Sequence, residues 1–347
     1  MGNISPQRTF GEVSFPGEPL SPERNHFSCI EPDYRDWIDV KMIRRMSRII
    51  RMGVTAALSC LREAGNPVPG AIITGTAYGC LEDTGLFVRK MVEQKEEMLT
   101  PTAFIQSTHN TVGAQIALIL HCKGYNNTFV HRAHSFESAL LDAKMLLEEN
   151  KGSDILVGGL DEITPLSRQI LERMGLYKRE PLPGSDIFSR GTRGVIGGEG
   201  AAFFLFSSRQ GKNDYARLDG FTTFYKPADK GETERKIRDF LDLHRTGLEE
   251  IDLLITGNNG DAAGDRIYDQ LGNSVFRQKN TVHFKQLCGE YPTAVSFAIW
   301  LAAKIIKSNQ VPASLGERQS SGKALKKILV YNQSWNIHHS LFLLSAC

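Results

Sequence analysis

The sequence predicts an α/β fold made of two similar halves, with two sheets sandwiched between helices, and three observations carry that prediction. Two distant segments, AIITGTAYGC at 71–80 and LLITGNNGDAAGD at 253–265, both run from an apolar, β-branched strand into a Gly-rich loop. Each half then closes on a similar strand, GGEGAAFFLFSS at 197–208 and NIHHSLFLLSA at 336–346. Helical and extended periodicities alternate between these markers, as they do in layered α/β proteins. A repeat near half the chain length means two copies of one module and not a solenoid. The halves meet near residue 210, giving units 1–210, with an N-terminal extension over about 1–34, and 211–347.

In chain order, Ile43, Met46, Ile50, Val54, Ala57 and Leu61 fall on one helical stripe that ends at Gly65, so a helix with one apolar face is expected there. Phe136, Ala139, Leu140, Ala143 and Leu146 mark a second helix. DILVGG at 154–159 is a short continuous apolar run, the pattern of a strand buried on both faces. REPLPGSDIFSRGTRG at 179–194 is polar and rich in Gly and Pro, which predicts a surface loop. A third helix is expected from about Pro292, with Pro near its first turn and Ala294, Phe297, Ala298, Leu301 and Ile305 turned inward.

Composition limits what such a fold can do. With 347 residues, 41% of them hydrophobic, the chain can bury a large core. Its formal net charge is +2, and Lys and Arg are spread along the chain apart from one helix, so neither nucleic acid nor a membrane surface is an expected partner. The six cysteines, Cys29, Cys60, Cys80, Cys122, Cys288 and Cys347, form no CxxC pair and no zinc spacing, which fits a reducing cytosol. No apolar signal-peptide core opens the sequence, and no uncharged run approaches the roughly 18 apolar residues of a membrane span. The expected partner is a small molecule or another protein, with a cytoplasmic location and neither metal nor cofactor.

Three further segments bring a family into view. GVIGGEGAAFFLF resembles the F-V-x-G-E-G-A strand of the β-ketoacyl synthases, SDILVGGLDE resembles their A-D-x-x-V-A-G-G-x-E segment, and DAAGD at 261–265 resembles the tail of their H-G-T-x-T-x-x-G-D loop. The resemblance covers about residues 35–345 and rests on the order and spacing of these motifs together. It implies the thiolase-like fold, a five-layer α-β-α-β-α sandwich of two similar halves. It also implies a Cys at a helix N-terminus that takes the acyl chain, and two His that stabilise the oxyanion and assist malonyl decarboxylation. Such a Cys needs the helix dipole to lower its pKa, and the imidazoles must supply donors where negative charge develops.

Carried onto this chain, all three positions hold other residues. The nucleophile falls at Ala133, or at His134 or Ser135 if the frame slips by one or two, and a methyl group cannot hold a thioester. The first His falls at Gly257. In FKQLCGEYPTA, Lys285 and Gly289 match the family's K-x-x-x-G-H and Glu290 replaces the second His. Glu290 is expected to pair with Lys285 and fill the vacated site. The family's G-F-G-G-T-N loop is replaced by NQSWNIHH at 332–339, where Trp335 is expected to occupy space the glycines leave open.

Other residues carry paired readings. Ser135 serves either as a substitute nucleophile or as a helix cap, and the cap is favoured. Cys80 and Cys288 are fallback nucleophiles against the commoner inert buried thiol. By resemblance, His109, Asn110, His134 and Phe136 lie near the dimer dyad and acyl tunnel, and NNTFV at 126–130 matches the edge strand that pairs across the dimer. Arg44, Arg48 and Arg51 share a helix face that either docks an acidic acyl carrier protein or is merely solvated. The resemblance implies a non-catalytic subunit similar to the chain-length factors, which pair with an active synthase and shape its acyl tunnel; the wording of FIQSTHNT and HSFESALLDA is nearest to aryl polyene and flexirubin-type pigment pathways. The rivals are an acyltransferase or thioesterase-like enzyme with a substitute nucleophile, and a homodimeric acyl-binding or scaffolding protein.

Overall fold

Two five-stranded sheets with the same internal order organise the computed structural model, which describes residues 1–11, 20–23, 25–149, 154–179, 191–315 and 324–347. In chain order the first part contributes β1 (Gly2–Ile4), α1 (Val40–Ile43), α2 (Arg48–Ala64), β2 (Ala71–Gly75), α3 (Leu81–Glu93), α4 (Pro101–Gln106), α5 (Thr111–Leu120), β3 (Tyr125–Phe129), α6 (Ser135–Glu149), β4 (Ile155–Asp161), α7 (Pro165–Arg173) and β5 (Gly200–Phe206). The second contributes β6 (Arg217–Tyr225), α8 (Lys230–Leu243), β7 (Leu253–Thr256), α9 (Ala262–Gly272), β8 (Thr281–His283), α10 (Lys285–Cys288), α11 (Val295–Ser308), β9 (Lys327–Ser334) and β10 (His338–Ser345).

The sheets run β1, β5, β4, β2, β3 and β6, β10, β9, β7, β8. In each, the first two pairings are antiparallel and the last two parallel. The two segments that look alike in sequence occupy equivalent strands: β2 and β7 start the Gly-rich loops, and β5 and β10 close the units. Helices α6 and α11 lie between the sheets, where Phe136, Ala139, Phe297, Leu301 and Ile305 join β-strand residues such as Val157, Val330 and Phe342 in one core. Gly159 permits this contact, because a Cβ there would lie 2.8 Å from both Phe136 and Ser296. Strand β4 is buried along its whole length, as a strand covered on both faces must be. Separate apolar clusters fill the outer layers, under α2 and α5 on one side and under α8 and α9 on the other, which gives the five layers.

Three local expectations are corrected. The stripe from Ile43 to Leu61 is not one helix: α1 ends at Ile43, and α2 starts after Ser47, an N-cap with extended backbone (φ −66°, ψ 171°). Helix α2 then ends as predicted, on Gly65 in the left-handed region (φ 66°), whose N–H meets the Arg62 carbonyl. The first residues are no mere extension, since β1 forms the edge of the first sheet and Phe27 N–H bonds the Gly197 carbonyl at 2.9 Å. Helix α11 begins at Val295, leaving Pro292 outside its first turn. The loop expected over 179–194 lies for its larger part, 180–190, outside the described residues.

Candidate functional site

The turn that leads into α6 holds the position the resemblance gives to the nucleophile, with its two neighbours. Arg132–His134 is a 3₁₀ turn, and Arg132 adopts a left-handed backbone (φ 49°) that costs a non-glycine residue on the order of 1–2 kcal/mol. Ala133 is buried and presents only its methyl group. The Ser135 hydroxyl donates to the Arg132 carbonyl at 2.7 Å and accepts the His131 N–H at 2.8 Å, so both of its roles are spent on closing this turn. His134 is buried, its Nε2 lying 3.2 Å from the His339 carbonyl and its ring 4.7 Å from the His338 ring. Burial, then the neighbouring His338, lowers its pKa to about 4, so it is neutral near pH 7.

The second unit supplies an ion pair where the resemblance expects imidazole. Lys285 Nζ, in a side chain only 1% exposed, donates to Glu290 Oε2 at 2.7 Å and to the Gln333 carbonyl at 3.4 Å. Asn259 Nδ2 donates to the same carboxylate at 2.6 Å. Backbone bonds fix Glu290 as well: its N–H meets the Ile196 carbonyl at 2.8 Å and its carbonyl accepts from Gly198 at 2.9 Å. At Gly257 a Cβ would lie 2.2 Å from Asn332 Oδ1 and 2.8 Å from the Tyr268 hydroxyl. No imidazole fits there unless Asn332 moves.

Buried carboxyls surround these positions. Asp161 accepts from Thr76 Oγ1, the Ala77 and Tyr78 N–H groups, and Thr293, and so ties the β2 loop to the start of α11. Burial raises its pKa to about 6 despite those donors. Asp265 holds the Asn259 and Gly260 N–H groups at 3.0 and 2.8 Å, and burial raises it to about 6 as well. Glu137, in the first turn of α6, is buried, and burial raises it to about 8 even with the Ser340 hydroxyl beside it. Asn332 Oδ1 is buried and unpartnered. Sequence reasoning missed Glu137, Asn259, Asn332 and Asp161. Glu137 alone left a signal, a charged residue three positions before Leu140 on the apolar stripe of its helix.

The remaining candidates scatter. Trp335 does not fill the site: it sits 51% exposed at the tip of the β9–β10 hairpin with a left-handed backbone (φ 58°), and Asn332 and Gln333 occupy the strand end instead. Phe136 is a fully buried core residue. His109 packs on Gly79 and is exposed, as is Asn110 at the start of α5. Cys80 and Cys288 are buried, and burial raises both thiols, which opposes thiolate formation. The proposed basic face also dissolves: Arg44 lies in the turn before α2, Arg51 lies over the Tyr34 ring at 5.3 Å, and Arg48 grips Glu199 through two bonds of 2.6 Å and contacts Glu31. Among the described residues no His, Cys, Asp or Glu group is arranged to hold a metal, and no helix is long and apolar enough to cross a membrane.

Residues 22–173 match the family model described as the β-ketoacyl synthase N-terminal domain. No curated protein matches the chain. Among solved structures, the ishigamide ketosynthase/chain length factor superposes with a TM-score of 0.74 at 17% identity, covering 95% of this chain and 91% of its own. The ketosynthase ApeO in complex with its chain length factor ApeC, from Xenorhabdus doucetiae, gives 0.71 at 16% identity, covering 88% and 84%. The type II acyl-carrier complex AntDE:AntF, with its ketosynthase bound to the hexaketide, gives 0.71 at 15%, covering 86% and 85%. With its paired sheets and inter-sheet helices, the chain carries the thiolase-like fold of the β-ketoacyl synthases.

Proposed function

We propose that this chain is a non-catalytic β-ketoacyl-synthase-like subunit of chain-length-factor type, which pairs with an active synthase and shapes the tunnel for a carrier-bound acyl chain in fatty-acid or polyketide-type biosynthesis, with aryl polyene pigments as the pathway and the cytoplasm as the location. The observation that carries it is the Lys285–Glu290–Asn259 cluster. A developing enolate or oxyanion needs donors, whereas Glu290 presents an acceptor with negative charge and takes up the Lys285 ammonium. At Gly257 a side chain would meet Asn332 Oδ1 and the Tyr268 hydroxyl, and the turn at Ala133 carries no thiol. The spent hydroxyl of Ser135 and the raised thiols of Cys80 and Cys288 weigh against a substitute nucleophile. Structural relatives whose names pair a ketosynthase with a chain length factor or a carrier protein support the choice of partners. On this reading the units are 1–210 and 211–347, and the first sheet ends at Phe206 while the second begins at Arg217.

The test incubates the chain with radiolabelled acyl and malonyl carrier protein, alone and with an active synthase. The expected result is no label on the chain alone, and product that forms or lengthens only in the pair. Label or product from the chain alone overturns the reading.

A further inference from the structure

Four imidazoles and one guanidinium converge beside Ala133: His131, Arg132 and His134 from the turn before α6, and His338 and His339 from β10. The His134 ring stands 4.7 Å from that of His338, and the His131 ring lies 5.9 Å from the first and 6.3 Å from the second. Tyr225 of β6 meets the His338 ring at 5.4 Å, nearly perpendicular to it. No carboxylate is among the groups that act on the rings of His134, His338 or His339.

The cluster has an inner and an outer layer. His134 is buried with Nε2 against the His339 carbonyl, which only accepts, so its proton sits on that nitrogen. His339 is buried too, with Nδ1 on the Tyr331 hydroxyl. His131 and Arg132 are exposed, and His338 is half-buried. His131 Nδ1 reaches Ser138 Oγ only at 3.4 Å, while the ring nitrogens of His338 have no hydrogen-bond partner among the described residues. Arg132 makes no ion pair among the described residues either. It acts on Tyr78, as do Asp161 and Glu290, but Asp161 is bound by Thr76, Thr293 and backbone N–H groups, and Glu290 by Lys285 and Asn259. Glu137, in the first turn of α6, adds little negative charge near pH 7, because burial raises it to about 8.

An anion is what this arrangement lacks. Burial, then His131 and Arg132, lowers the pKa of His338, so the free chain resists charging that ring. Arg132 also keeps a left-handed backbone, a strain that gathers at ligand sites. The guanidinium supplies a fixed charge and a fork of donors, and each outer imidazole supplies an N–H from another side. A carboxylate, planar and singly charged, is satisfied by the guanidinium alone. A phosphate dianion has a third oxygen for the imidazoles and a second charge that favours their protonated form.

We propose that His131, Arg132 and His338 form a binding site for a phosphate dianion, free or carried on a phosphomonoester. The site goes beyond the function proposed above and needs no synthase to be present.

The test follows the histidine ring signals of the full chain by NMR at about pH 6.5, the ordinary histidine pKa, as sodium phosphate replaces sodium chloride at fixed ionic strength. Saturable shifts of the His131 and His338 signals are expected, with His121 at the other end of β3 unmoved and the pKa of His338 raised when phosphate is bound. Arg132→Gln should raise the phosphate dissociation constant about tenfold, the scale of one charge contact. His338→Gln should also weaken binding, and it replaces Arg132→Gln as the deciding variant if the latter alters the circular dichroism spectrum. Phenyl phosphate separates the two sources: equal or tighter binding assigns the site to a monoester, and rejection assigns it to the free ion. Shifts that grow linearly with phosphate, that His121 shares, or that both variants leave unchanged overturn the site. Acetate binding tighter than phosphate overturns the choice of ligand.

Discussion

The loops that follow β2 and β7 are counterparts in two sheets of identical order, yet they are clamped in different ways. The β2 loop is held by a carboxylate from the neighbouring strand, Asp161, which takes two backbone N–H groups and also binds Thr293 of the second unit. The β7 loop is held by Asp265 of α9, and Asp261 beside it takes the Gly194 N–H of the first unit. Each loop is thus fixed by a buried acid and by hydrogen bonds across the molecule. The difference lies in what the clamped loops surround. The first unit ends in a methyl group and a neutral imidazole at Ala133 and His134, whereas the second ends in a buried charge pair at Lys285 and Glu290. A scaffold can be kept by backbone clamps while its chemical positions diverge, because the clamps draw on main-chain donors that survive side-chain replacement.

The largest effect should come from breaking the second unit's pair. Glu290→Ala leaves the Lys285 ammonium buried and unpaired, a change worth about 3–5 kcal/mol, to be read by urea unfolding. An equal loss from Ala133→Ser in the first unit would erase the contrast.

The second test concerns pH. The Glu137 carboxyl is raised from 4.5 to about 8 in the folded chain, and burial is the cause. A raised folded value means that the folded state binds the extra proton, so the stability it confers is present at low pH and is lost as pH rises through 8. His134 and His339, both lowered to about 4 chiefly by burial, act in the opposite sense and remove stability as pH falls below about 6.5. Above pH 7 the two His have completed their change, while Asp161 and Asp265, raised to about 6, have lost their protons, so Glu137 sets a fall in stability between about pH 7 and 8. Glu137→Gln should remove that fall, worth about 1.4 kcal/mol between pH 7 and 8 at about 1.4 kcal/mol per pKa unit. A melting temperature that rises from pH 7 to 9 in the wild type would contradict this.

A third, smaller effect sharpens the comparison at Gly257. Gly257→Ala should cost about 1–3 kcal/mol through its clash with Asn332. Asn332→Ala in the same chain should return much of that, and simple additivity of the two would show that Asn332 does not fill the missing side chain's place. The smallest change is Trp335→Ala, expected within about 0.5 kcal/mol because the side chain projects from the hairpin tip.

How much of this was legible varied by residue. The strand DILVGG and the inward face of α11 were readable because burial on both sides leaves an apolar run or stripe that any window detects. Lys285 and Glu290, five apart in one short segment, could be paired by proximity in sequence. The basic face assigned to Arg44, Arg48 and Arg51 failed for two reasons. Ser47 restarts the helix, and the partner that draws Arg48 inward, Glu199, lies 151 residues away. Trp335 was misjudged because a side chain's bulk says nothing about which way a left-handed hairpin turn points it.

By itself the sequence determined the α/β class, the duplication, and the strands that start the two Gly-rich loops and close each unit. These depend on residue identity and on periodicity over short windows. Tertiary structure alone decided that Asn332 lies against Gly257, that Asn259 and Lys285 converge on Glu290, that Glu137 lies buried, and that β3 ends its sheet. Each of these is a relation between elements far apart along the chain, set by how the two sheets and their helices pack, and no local pattern encodes it.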